Sequence, residues 1–312
     1  MKVAVVGAGA WGKNHVRNLF EMGALGAVVE SGAETREAVE KEYPGVPVWD
    51  NVNRLIESDI SAAVVVTPAP THYDISMSLL EAGKDVFIEK PMTLRVLHAE
   101  DLVETADRLG KVLMVGHLLL HQPAIQWLRD ALTSGTIGKL HSIHQHRVGL
   151  GRARSAENVL WSLGVHDVAV VLYLVGKSPT AVNISGHRVL QTDVEDDVYL
   201  HMNFPDGIQT HLHCSWLWPT KDRGMVIVGN DAMLEYNEAD QVVTLHKKTI
   251  GVDLKSVDNG SEVIYQGSGQ PLRLELEHFI KCCEERLTPI SDGRNGLEAI
   301  KIMQKTIERL RS

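Results

Sequence analysis

Few short segments leave a chain as little choice as residues 2–12 do here, where Lys2-Val3-Ala4-Val5-Val6 runs directly into Gly7-Ala8-Gly9-Ala10-Trp11-Gly12. The β-branched run predicts a strand, and Val16, Leu19 and Phe20 then recur on one face of a helix. A bare glycine triplet says little. Between a strand and a helix, however, Gly-x-Gly-x-x-Gly is the pattern that cradles a dinucleotide. Gly7 makes the tight turn, Gly9 has no Cβ to hold a pyrophosphate off the backbone, and Gly12 lets helix and strand pack closely. The unpaired N–H groups and partial positive charge at the helix start suit phosphate oxygens, so Ala8, Ala10 and Trp11 join the glycines as candidate cofactor contacts.

The next predicted strand, residues 25–29, ends at Glu30, near the ~20-residue distance at which an acidic side chain accepts from the adenosine ribose hydroxyls. No Arg or Lys follows before Arg36. A 2′-phosphate beside Glu30 would meet like charge with no nearby cation, which favours NAD over NADP.

From residue 1 to about 120, strand and helix alternate, predicting a doubly wound parallel α/β sheet of the Rossmann type. A chain of 312 residues exceeds one ordinary core, so residues 121–312 are expected to form a second domain. There the pattern changes: one helix, a strand over 140–148, a long apolar helix over about 157–175, then successive alternating strands without helices between them. That predicts an α+β domain with an open, mainly antiparallel sheet, helices on one face and another subunit on the other. A homodimer or homotetramer through this sheet is therefore expected, with Trp216, Trp218, Lys221 and Arg223 stiffening the sheet and its subunit contact.

The net charge of −9, from 31 basic and 40 acidic residues, is mixed along the sequence, which argues against nucleic acid or an anionic membrane as partner. No apolar run approaches the ~18 residues of a membrane span, and a strand beginning at residue 2 leaves no room for a signal peptide. Cys214, Cys282 and Cys283 show neither a disulfide framework nor metal-ligand spacing. A cytoplasmic protein is expected. His117, His121, His144 and His146 fall on separate elements without a carboxylate or thiolate companion, so no metal is expected either.

Two places carry candidate chemistry. Glu89-Lys90-Pro91 closes a predicted parallel strand at its C-terminal end, where open α/β sheets bind ligands, and Pro91 keeps Lys90 out of helical geometry. In the apolar helix around residues 158–172, Ser162 and His166 stand four apart and so share a face. Histidine titrates near neutrality and suits removal of a carbinol proton.

Taken together, residues 7–12, Thr67-Pro68 with His72, Glu89-Lys90-Pro91, Gly135-Thr136-Ile137-Gly138, the Leu163-Gly164-Val165-His166 helix, residues 274–279 and Pro289-Ile290-Ser291-Asp292-Gly293 resemble the Gfo/Idh/MocA oxidoreductases over nearly the whole chain. The resemblance implies NAD(P)-dependent oxidation or reduction of a sugar or cyclitol carbinol. Thr67, Pro68, His72, Glu89, Lys90 and Pro91 would lie against the cofactor, Lys90 would orient the reacting hydroxyl, His166 would serve as acid/base, and the Lys90–Pro91 peptide would be cis. Many members carry Asp where this chain has Ser162, which can only hydrogen-bond, leaving Asp167 as a partial substitute. The segment from Gly151 to Ser162 resembles the branch acting on UDP-N-acetylhexosamines at the 3-hydroxyl. There Arg147, Arg152 and Arg154 would meet a diphosphate, with Trp161 and Ser162 against the sugar. A free-sugar or inositol dehydrogenase, a ketosugar reductase and a non-catalytic dinucleotide sensor are the alternatives.

Overall fold

The computed structural model describes residues 1–155 and 157–311; Ala156, within the segment expected to meet a nucleotide, lies outside the described residues. The chain divides into two compact units, Met1–Leu118 with Gln270–Ile300, and Leu119–Gly269 with Lys301–Ser312. The expected boundary near residue 120 thus misses the return of residues 270–300 to the first unit, where Leu276, Phe279 and Cys282 complete a core that the first 118 residues leave open.

The first unit contains β1 (Val3–Val6), α1 (Gly12–Glu21), β2 (Leu25–Val29), α2 (Ala33–Glu42), β3 (Val48–Trp49), α3 (Asn53–Ile56), β4 (Ala62–Val65), α4 (His72–Glu81), β5 (Asp85–Glu89), α5 (Val96–Leu109) and β6 (Leu113–Gly116). Its six strands are parallel in the order β3-β2-β1-β4-β5-β6, which reverses direction between β1 and β4. Successive side chains of a strand point to opposite faces, and the two faces become two cores. Val3, Val5, Val64, Phe87 and Met114 pack with Val16 and Leu19 of α1. Ala4, Val6, Val65, Ile88 and Val115 pack with Leu79, Leu80 and Leu102 of α4 and α5. Burial on both faces explains why these strands are apolar throughout instead of alternating.

The second unit contains α6 (Pro123–Thr133), β7 (Leu140–Val148), α7 (Val165–Val175), β8 (Ala181–His187), β9 (Asp197–Asn203), β10 (Gln209–Ser215), β11 (Asp222–Gly229), β12 (Met233–Asn237), β13 (Val242–Ile250) and β14 (Ser256–Gln266). After β14 come α8 (Pro271–Glu285) and α9 (Gly293–Arg311). The eight strands run β14-β13-β12-β11-β7-β10-β9-β8, antiparallel except for the parallel pair β7–β10. Ile143, Leu200, Met202 and Leu212 are buried on one face, while His144, Tyr199, His201 and His211 lie on the other, where His211 stacks on His144 with ring centroids 4.8 Å apart. Nothing in the sequence analysis anticipated β14: its residues are exposed almost throughout, so no alternation marks it. The single helix expected over 157–175 is a π turn, Leu160–Gly164, leading into α7. No helix among the described residues is long and apolar enough to cross a membrane.

Candidate active site

In the first unit the glycine loop leaves β1 where strand order reverses, the position at which doubly wound sheets take their ligands. Gly7 has φ +97°, and a Cβ on Gly12 would overlap the Gly7 carbonyl oxygen, so both glycines are demanded by the protein itself. Gly9 is different, since nothing lies within 4 Å of where its Cβ would be. Its missing side chain keeps open a space outside the fold, in front of an α1 N-terminus that no side chain caps. That open space before a helix N-terminus fits a pyrophosphate. Glu30 turns back to the loop: one carboxylate oxygen accepts from the Ala8 N–H and the other from the Gly32 N–H, both at 2.8 Å. Each oxygen retains lone-pair capacity for ribose hydroxyls. Arg36 Nη1 donates to the carbonyl oxygens of Glu30 and Ser31, at 3.0 and 2.6 Å.

Glu89 ends β5 buried, and its carboxylate gathers three donors: Trp11 Nε1 at 2.7 Å, His15 Nε2 at 2.8 Å and the Lys90 N–H at 3.1 Å. Burial alone would raise its pKa, yet the histidine, the indole and the Lys90 amide together hold it below the ordinary carboxylate range. One side chain thereby joins the first turn of α1 to the Lys90 corner, while the Trp11 indole itself stays 45% exposed beside the glycine loop. Glu275 of α8 is also buried, and burial, with Glu89 adding like charge, pushes its carboxyl well above the usual range.

The Lys90–Pro91 peptide is cis. His72, expected to face the cofactor, is 1% exposed, and its two ring nitrogens lie 2.9 Å from the Pro91 carbonyl oxygen and 2.7 Å from that of Thr67. It braces the loops after β4 and β5 against each other and acts on the site only through them. Lys90 is half-buried, while Thr67 and Pro68 remain partly open to solvent.

The second unit presents its candidates on the turn into α7. From Val159 to Leu172 every residue is buried except Ser162, Leu163 and His166. Ser162 and His166 therefore mark the one accessible edge of an apolar segment. Trp161 is buried, and its indole N–H has no hydrogen-bond partner among the described residues.

Two expectations fail here for one reason. Arg147 is 3% exposed, on the inner face of β7 in phase with Ile143 and Gln145. Its Nε donates to both Asp167 carboxylate oxygens at 2.9 Å, and its terminal nitrogens reach Glu238 at 3.0 and 2.5 Å. A guanidinium held by the buried Asp167 and half-buried Glu238 carboxylates is not available to a diphosphate, and its own pKa rises further. Asp167 is equally committed, accepting from Gln145 Nε2 at 2.6 Å as well, and it does not stand in for the carboxylate missing at Ser162. Arg152 and Arg154 remain exposed, and neither has an ion pair among the described residues. Likewise among those residues, no three His, Cys, Asp or Glu side chains are grouped as metal ligands would be.

Sequence reasoning missed His15 as the partner of Glu89, and it considered His117 only as a metal ligand. The first needs a contact across 74 residues of chain. The second needs the register of β5 on β6, which pairs Glu89 with Gly116 and so puts Lys90 and His117 side by side as the next residues out.

Comparison with known proteins agrees with this geometry. Residues 1–117 match the model of the Gfo/Idh/MocA oxidoreductase family, NAD-binding Rossmann fold, and residues 125–235 match the Gfo/Idh/MocA C-terminal domain. The chain is 26% identical to UDP-N-acetylglucosamine 3-dehydrogenase of Acidithiobacillus ferrooxidans, covering 95% of this chain and 93% of that protein. It is 28% identical to scyllo-inositol 2-dehydrogenase (NAD(+)) of Bacillus subtilis, covering 93% and 88%. A solved structure of the Acidithiobacillus ferrooxidans enzyme superposes with a TM-score of 0.89 over 99% of this chain and 97% of that one, at 24% identity. The two domain matches, the glycine loop and the cis Lys90–Pro91 corner together make this chain a member of the Gfo/Idh/MocA oxidoreductases with an NAD-binding Rossmann domain.

Proposed function

We propose that this protein oxidises the 3-hydroxyl of a UDP-N-acetylhexosamine, with Lys90 orienting the carbinol and His166 as acid/base. The observation that carries the choice of a nucleotide-linked sugar is the pair of exposed guanidinium groups, Arg152 and Arg154, shortly before the turn that bears Ser162 and His166. Planar forks of this kind suit a diphosphate, and the similarity to UDP-N-acetylglucosamine 3-dehydrogenase extends through this region. NAD, when bound, supplies the hydride acceptor. Lys90 donates to the carbinol oxygen and fixes its direction. His166 takes the hydroxyl proton on a ring nitrogen, so the sugar leaves as a neutral ketone. Ser162 contributes a hydrogen bond and no charge, and Trp161 offers its free indole N–H to the sugar.

The test is absorbance of reduced nicotinamide with NAD and a panel of UDP-sugars, free sugars and inositols, including a step that removes the ketone. Lys90→Ala and His166→Ala should each lower turnover by roughly 10² to 10⁴ while NAD affinity stays near that of the parent. Full activity in either variant refutes its role. No reduction with any member of the panel refutes the dehydrogenase reading and leaves a dinucleotide sensor. An inositol dehydrogenase is the second reading, favoured by the similarity to the Bacillus subtilis enzyme and decided by the same panel.

The open sheet face of the second unit, with Tyr199 40% and Trp218 39% exposed, is the surface we assign to a second copy of the chain in a homodimer or homotetramer. The three free, buried cysteines suit a reducing, cytoplasmic setting.

A further inference from the structure

Directly after β6, His117 is 2% exposed, and neither of its ring nitrogens has a hydrogen-bond partner among the described residues. Buried polar groups are almost always paired, because a lost bond to water must be replaced. An imidazole left with two unpaired nitrogens is therefore costly for the free protein, and its position gives the cost a purpose. It stands beside Lys90 at the C-terminal edge of a parallel sheet, where this fold takes its ligands. The neighbouring groups set its charge state. Burial, opposed by Glu89 and assisted by Lys90, pushes its pKa down to about 4, so at neutral pH the ring is uncharged. A neutral imidazole carries one N–H donor and one lone-pair acceptor.

We propose that His117 is a ligand-binding residue whose two ring nitrogens are satisfied by a neutral group that both donates and accepts, either the carboxamide of the nicotinamide or a hydroxyl next to the reacting carbinol. This deepens the dehydrogenase reading and rests on it. A carboxylate or phosphate is the wrong complement, because the ring has only one donor and sits within range of the Glu89 charge. A metal is a poor complement too, since no group of three His, Cys, Asp or Glu side chains that could hold one is found among the described residues.

His117→Leu and His117→Gln separate the outcomes, with binding of NAD, binding of ADP-ribose, which lacks the nicotinamide, and KM for UDP-N-acetylglucosamine measured for each. If the carboxamide is the partner, His117→Leu weakens NAD about tenfold, the worth of one desolvated hydrogen bond, and leaves ADP-ribose unchanged. If the substrate hydroxyl is the partner, NAD is unchanged and KM rises about tenfold. In either case the free His117→Leu protein melts no lower than the parent, and His117→Gln, which keeps a donor and an acceptor, recovers most of the loss. The proposal is overturned if neither constant moves, or if NAD and ADP-ribose weaken together with a lower melting temperature, as a purely structural residue would produce. Should the parent enzyme oxidise no sugar, the dehydrogenase reading fails on that result, while the comparison of NAD with ADP-ribose still decides the carboxamide.

Discussion

Replacing Arg147 by methionine tests whether its guanidinium is structural, as its burial between Asp167 and Glu238 requires. The substitution keeps an unbranched apolar side chain in the space but leaves the Asp167 carboxylate without its cation and Glu238 with Arg223 alone, at 3.4 Å. Breaking a buried ion pair by removing one partner costs about 3–5 kcal/mol, chiefly because the survivor stays desolvated and charged. Here one guanidinium serves two carboxylates through four N–O contacts of 2.5 to 3.0 Å, which places the loss at about 4 kcal/mol. For a unit of the size spanned by residues 119–269 and 301–312, about 4 kcal/mol lowers the melting temperature by about 8–16 °C. Thermal unfolding followed by circular dichroism at pH 7 measures this directly. The deficit should shrink as pH falls, as the orphaned Asp167 carboxyl takes up a proton and sheds the charge that burial opposes. Adding Asp167→Asn and Glu238→Gln should recover most of the stability, and KM for a UDP-sugar should stay near the parent value throughout. A melting temperature within about 2 °C of the parent, together with a raised KM, would refute the structural role and return Arg147 to the substrate.

The glycine loop offers a contrast within five residues. Gly12→Ala should destabilise the free protein, because its Cβ overlaps the Gly7 carbonyl oxygen, whereas Gly9→Ala should melt like the parent yet bind NAD at least about tenfold more weakly. Melting curves and fluorescence titration with NAD distinguish the two, and equal effects of both substitutions in both assays would remove the argument for an approaching pyrophosphate. A further prediction concerns acid. The pKa of His117 lies lower in the folded chain, at about 4, than the ordinary 6.5, so between those values the unfolded chain binds more protons and stability falls as pH falls. The shift amounts to about 3 kcal/mol, fully present above pH 6.5 and progressively lost down to about pH 4. Glu275, with its carboxyl raised, pulls the other way. The difference between the parent and His117→Leu in denaturant titrations at several pH values isolates the histidine, and a difference independent of pH would refute the assignment.

What could be read from the sequence was what acts locally. The glycines, Glu30 and the Lys90–Pro91 corner each constrain neighbours a few residues away, and the pattern of apolar strands and helices reports the parallel sheet without knowledge of partners. The Trp11–His15–Glu89 cluster was hidden because it joins the start of α1 to the end of β5. Arg147 carries a readable signal that runs against the diphosphate role implied by the resemblance. It alternates in phase with Ile143 and Gln145, the buried side of β7, and a charge on that side must find a counter-charge. Strand β14 escaped because a strand exposed on nearly all its length has no hydrophobic period to read.

The first unit is closed by chain that arrives very late. Phe279 meets Phe87 edge to face at 5.7 Å, and Leu276 and Cys282 lie in the same cluster. A ribosome adding residues in order has to make the whole second unit up to Gly269 before α8 exists to cover that apolar surface. The nascent nucleotide-binding half is therefore incomplete for most of translation, and a fragment ending at Leu118 would carry an uncovered greasy face in place of an autonomous NAD module.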